Sequence, residues 1–104
     1  MIYKIWVDDI RQPPESFIPS YIWVQTVENA KRFIETIETN GMHTIELLDL
    51  DHDAGEFGPP DYIKILDWLE ETGRNYPIRI HSQNPVGVQN MRRIIERNGW
   101  KEIR

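Results

Sequence analysis

No cysteine occurs anywhere in the chain. That excludes disulfides, thiolate nucleophiles and thiolate-held metals, and makes a reducing compartment the natural setting. Long apolar runs are missing too: nothing approaches the ~20 residues that a membrane-spanning helix needs. An apolar, strand-like run opens at residue 2 with no basic segment ahead of it, so a secretory leader is not expected. Repeats, linkers and low-complexity tracts are also lacking. What remains is 104 residues, the length of one domain spanning 1–104 that can bury a core without staples. A soluble, cytoplasmic protein is the expectation.

Positive charge is scarce in the first two thirds. Residues 1–73 hold five Lys/Arg against fifteen Asp/Glu, whereas residues 74–104 hold seven against two. An acidic body with a basic last third could set a cation site beside an anion-attracting rim. A solvated helix face accounts for the same basic residues.

Apolar patterning supplies the elements. Residues 2–7 and 22–25 read as strands, and Ile45 to Leu50 as a third. Residues 78–82 give a fourth strand and 100–103 a short fifth. Thr26 is an N-cap for a helix carrying Val27, Ala30, Ile34 and Ile37 at helical spacing, with Asn40-Gly41 as its stop. Tyr62, Ile65, Leu66 and Leu69 mark a second helix. Asn84-Pro85 starts a third, with Val88, Met91, Ile94 and Ile95 as its stripe. Pro13, Pro14 and Pro19 argue against a helix after the first strand. Strand–helix alternation predicts an α/β fold with right-handed crossovers. The fold class expected is a five-stranded, mostly parallel, receiver-like (flavodoxin-like) sheet with helices on both faces, its first helix reduced to a Pro-rich loop.

Three strands stop in polar clusters: Asp8-Asp9 after the first, Asp49 through Asp53 at the third, and His81-Ser82 with Asn84 after the fourth. In an open parallel sheet, ligands bind outside the carboxyl ends of the strands, where strand order reverses. If the third strand lies between the first and fourth, all three clusters meet in one crevice. Asp49 and Asp51 alternate onto one strand face, roughly 6–7 Å apart, with Asp53 continuing the row and His52 turned away. Carboxylates so crowded call for a shared proton or a cation.

An acidic pair after the first strand, an Asp ending the third and a hydroxyl ending the fourth resemble the response-regulator receiver domain. That resemblance implies that Asp51 occupies the phosphoryl-accepting position, Asp8 and Asp9 the Mg²⁺ positions, and Ser82 the phosphoryl-contacting one. The lysine-proline pair that receivers carry at the end of the fifth strand is missing, since Lys101 stands near its start. A closer resemblance is to the cyclic-phosphate processing receiver family. It rests on Trp6-Val7-Asp8-Asp9-Ile10-Arg11-Gln12-Pro13, on Leu50-Asp51-His52-Asp53-Ala54-Gly55, and on His81-Ser82-Gln83-Asn84-Pro85-Val86-Gly87. It implies a domain acting on cyclic phosphate groups of RNA ends or nucleotides.

The expected chemistry is a metal-assisted phosphoesterase. Asp8, Asp9 and Asp51, with Asp53, offer hard oxygens for Mg²⁺ or Mn²⁺. His52 and His81 can move protons near neutral pH; a strand-end histidine held by neighbours is the structural alternative for each. Ser82 would orient the phosphate, and Arg11, Asn84 and Gly87 would line its binding place. For Asn84 a helix cap is the competing role, and for Arg11 a surface ion pair. The catalytic set is thus Asp51, His52, His81 and Ser82, and the partner a phosphate-containing small molecule or RNA end. The alternative function is a phosphoaccepting or non-catalytic receiver used for signalling or partner binding.

Overall fold

A computed structural model describes residues 1–14, 21–53 and 61–104. Its elements run β1 (Ile2–Val7), β2 (Tyr21–Val24), α1 (Val27–Thr39), β3 (Thr44–Leu50), α2 (Ile63–Glu71), β4 (Ile78–Ile80), α3 (Pro85–Asn98) and β5 (Glu102–Ile103). The strands form one sheet in the order β2-β1-β3-β4-β5, and every pairing is parallel. The expected α/β, five-stranded receiver-like fold is therefore what the chain adopts. Residues 11–14 carry no helix, while Pro19 and the Gly- and Pro-containing loop over 54–60 lie outside the described residues.

Helices on both faces of the sheet is the expectation that needs correcting: among the described residues, all three helices lie on one face. The cause is the handedness of crossovers. A right-handed connection lies on a face set by the direction of its step across the sheet. The steps β2→β3, β3→β4 and β4→β5 all run the same way, so α1, α2 and α3 share a face. The step β1→β2 runs the other way, and the proline-bearing segment after β1 makes it.

The helix-covered face is the core. Ile5, Val7, Leu48, Leu50 and Ile78 face Ile34 of α1, Leu66 and Leu69 of α2, and Met91 and Ile95 of α3. Each such side chain contributes about 1.5–3 kcal/mol by leaving water. The opposite face carries a smaller cluster of Trp6, Tyr21 and Leu47. A register shift in the β1–β3 pairing after Tyr3 lets Ile45 join Leu48 in the main core while Leu47 turns to the other side. Capping follows the sequence signals. Thr26 Oγ1 accepts from Asn29 N at 3.0 Å, Asn84 Oδ1 accepts from Gly87 N at 3.0 Å, and Gly99 closes α3 at φ 69°. No helix among the described residues is long and apolar enough to cross a membrane.

Candidate functional site

Because all strands run the same way, their carboxyl ends lie along one rim. Ladder bonds continue one residue past the strands: Asp51 N donates to Val7 O at 2.9 Å, and His81 N to Leu50 O at 2.9 Å. Asp8, Asp51 and His81 are thereby fixed side by side at the β1–β3–β4 edge, where the strand order reverses.

Asp8, Asp9 and Asp51 each present an oxygen within 4.8 Å of the others. Asp8 is buried; its Oδ1 accepts from Ile10 N at 3.0 Å and Arg11 N at 2.8 Å. Its Oδ2 meets Arg11 Nε at 3.1 Å and His81 Nε2 at 3.0 Å. Burial alone would raise the Asp8 carboxyl. The Arg11 and Ile10 amides, then His81 and the Arg11 charge, outweigh it and hold the group below the usual carboxylate range. Asp9 moves the opposite way. Burial pushes it up, and the Asp8 and Asp51 charges push further, against a bond to its own backbone. Asp51 Oδ1 accepts from His52 N at 2.7 Å, and its Oδ2 lies 3.3 Å from Arg11 Nη2.

The row Asp49–Asp51–Asp53 divides three ways. Asp51 joins Asp8 and Asp9. Asp49, fully buried, turns into the face opposite α1, α2 and α3, where Oδ2 accepts from the Tyr21 hydroxyl at 2.6 Å and Oδ1 meets His81 Nδ1 at 2.6 Å. Arg79 Nη1 lies 3.9 Å from the same carboxylate. Asp53 leaves the rim altogether: Oδ1 pairs with His52 Nδ1 at 2.7 Å and accepts from Asn84 Nδ2 at 3.2 Å. The His52 bond, chiefly, holds the Asp53 carboxyl below its usual value. Asp53, His52 and Asp61 make a second group with ligand atoms in mutual reach, apart from the first.

His81 is held on three sides. Its Nδ1 pairs with Asp49 and its Nε2 with Asp8. Trp6 stacks flat on the imidazole, with centroids 3.7 Å apart and planes 7° apart. His52 packs instead against α3. A Cβ on Gly87 would clash with His52 Cγ, so this ring leaves no room for a side chain there. Ser82 Oγ accepts from Asn84 N at 3.2 Å, which leaves its own hydrogen free to donate elsewhere. Asn84 caps α3 and tethers Asp53 at once. Lys101 lies just before β5, its carbonyl accepting from Ile78 N at the entrance of β4, the end of the sheet opposite to Asp51.

Sequence reasoning gave no site role to four residues that build this edge: Trp6, Tyr21, Arg79 and Tyr62. Strand parity could have found three. Trp6 alternates with Asp8, Arg79 with His81, and Tyr21 lies on an adjoining strand of the same face. Tyr62 is fully buried, and its hydroxyl donates to Gln25 O at 2.6 Å. Burial and then the Asp9, Asp8 and Asp51 charges push its phenol upward. Tyr21 moves up likewise, through burial first and the Asp49 bond next.

No curated protein and no solved structure matches the chain. A protein-family model does, the cyclic-phosphate processing receiver domain, over residues 3–97. That span contains the carboxyl ends of β1, β3 and β4 and the side chains that meet there. On this match, the chain belongs to the cyclic-phosphate processing receiver domain family.

Proposed function

We propose that the domain is a divalent-cation-dependent phosphoesterase that opens a cyclic phosphate of an RNA end or nucleotide. The observation that carries this reading is the meeting of Asp8, Asp9 and Asp51 with His81 at one rim. The donor set is all carboxylate oxygen, which suits Mg²⁺ or Mn²⁺. Burial first, and then the Asp8 and Asp51 charges, raise the Asp9 carboxyl, and such an ion would relieve the charge part of that crowding. When bound, the cation supplies Lewis acidity to a phosphoryl oxygen.

The chain's own residues supply the rest. Asp8, Asp9 and Asp51 would hold the ion, and Asp53, tied to His52 and Asn84, would not join them. Ser82 donates its hydroxyl hydrogen to a phosphoryl oxygen. The positive end of the α3 dipole, behind Asn84, favours the phosphate. Water adds to phosphorus and gives up one proton to solvent, the endocyclic P–O bond breaks, and the leaving ribose oxygen takes a proton from a side chain at the rim. His81 is the donor, because its Nε2 faces the acidic cluster, whereas His52 serves Asp53 and α3. Lys101, at the far end of the sheet, is out of place to stabilise a phosphorylated Asp51, which favours hydrolysis over a phosphoaccepting switch.

The test is turnover of a 2′,3′-cyclic nucleotide with and without Mn²⁺. Wild type should act only with the ion. Asp51→Asn and His81→Ala should lose about 10²–10⁴-fold, and His52→Ala less. An unchanged rate in a folded His81→Ala protein removes its acid role.

A further inference from the structure

Arg11 stands inside the acidic cluster. Its Nε lies 3.1 Å from Asp8 Oδ2 and its Nη2 3.3 Å from Asp51 Oδ2, while Nη2 also donates to the His81 carbonyl at 3.1 Å. One guanidinium therefore spans two of the three carboxylates at the rim and ties β1, β3 and β4 together. Its backbone is pinned on both sides. Arg11 N donates to Asp8 Oδ1, and its carbonyl accepts from Trp6 Nε1 at 2.8 Å. The side chain is not pinned by packing: it is 45% exposed, so it can swing out without opening the core.

A divalent ion and this guanidinium compete for those oxygens. Both are cations, and both need Asp8 and Asp51 at contact distance, where like charges repel. We propose that Arg11 is a built-in counter-ion, which competes with the divalent cation for Asp8 and Asp51 and, once displaced, turns its fork to the phosphate. The inference rests on the cation reading of the three acids. It adds an order and a coupling: the ion frees the arginine, and the arginine then grips the anion bidentately. Coupling of this kind is reciprocal, so the phosphate must tighten the ion as much as the ion tightens the phosphate. The apparent ion affinity is reduced by the fraction of molecules in which Arg11 holds the acids.

Calorimetric Mn²⁺ titration separates the possibilities, using wild type, Arg11→Gln and Arg11→Lys, each with and without adenosine 3′-monophosphate. Circular dichroism checks each fold. Arg11→Gln should bind Mn²⁺ about tenfold more tightly than wild type without nucleotide. The nucleotide should tighten Mn²⁺ in wild type and not in Arg11→Gln. Arg11→Lys keeps the competing charge and should bind Mn²⁺ much as wild type does, with the nucleotide effect weakened by loss of the fork. Equal or weaker Mn²⁺ binding by Arg11→Gln overturns the counter-ion. Nucleotide coupling that persists in Arg11→Gln overturns the transfer to phosphate. Absence of Mn²⁺ binding in both wild type and Arg11→Gln overturns the cation site itself, an outcome distinct from the other two.

Discussion

The two faces of the sheet are made by the same strands and hold together differently. Leu48 and Asp49 are neighbours, both fully buried, and they point to opposite sides. Leu48 enters a continuous apolar core beneath three helices. Asp49 enters a polar line, Tyr21–Asp49–His81–Asp8, flanked by Trp6 and ending at the acidic rim. Stability on the first face is non-directional and scales with area. On the second it depends on every partner being in place, because an unmatched buried charge is costly. The buried side-chain polar atoms of the described residues all have partners. The helix-covered face thus secures the fold, and the other face positions the groups of the rim.

Breaking the apolar face should cost most. Leu48→Ala should lose about 3 kcal/mol of stability in urea denaturation, with Mn²⁺ affinity unchanged at temperatures where the variant is folded. A loss below about 1 kcal/mol would show that the core collapses around the gap. A cut in the polar line should be smaller in stability yet reach the rim. Tyr21→Phe removes one hydrogen bond to a buried carboxylate, worth about 2 kcal/mol, and should also shift the ¹⁵N resonances of the His81 ring. Unmoved resonances would mean that Asp49 holds His81 without help from Tyr21.

The smallest effect belongs to the periphery. Glu38, near the end of α1, takes hydrogen bonds from Arg74 and Tyr76. Arg74 foremost, and then Tyr76, hold its carboxyl below the ordinary value of 4.5, against the effect of burial. A folded-state value under the unfolded one adds stability above the unfolded value, and that stability is lost as pH falls through the folded one. Glu38→Gln should therefore cost under about 1 kcal/mol at neutral pH and flatten the acid limb of the stability curve. A steeper acid limb in the variant would reverse the sign of this contribution.

Much of the fold was readable because its signals are local. Thr26 and Asn84 announce helix starts, Gly99 a stop, and an apolar run ending in acid announces a strand reaching the rim. The meeting of three strand ends was readable once strand alternation implied a parallel sheet. The placement of the helices required the strand order, since handedness assigns a face only when the direction of each step is known. The division of Asp49, Asp51 and Asp53 was not readable from spacing. Alternation puts 49 and 51 on one face only while the strand lasts, and β3 ends at Leu50. Beyond that point each acid follows its own partner: His52 N and Arg11 for Asp51, His52 and Asn84 for Asp53. The role of Gly87 was equally hidden, because nothing in the sequence connects it with His52.

That contact couples the two positions sterically. A methyl at 87 would clash with the ring at 52. The order of change therefore matters: a smaller residue at 52 opens the way for a side chain at 87, whereas the reverse order passes through a clash. Since α3 begins at Pro85 and His52 follows β3, this contact also fixes how closely the start of the helix can approach the strand end.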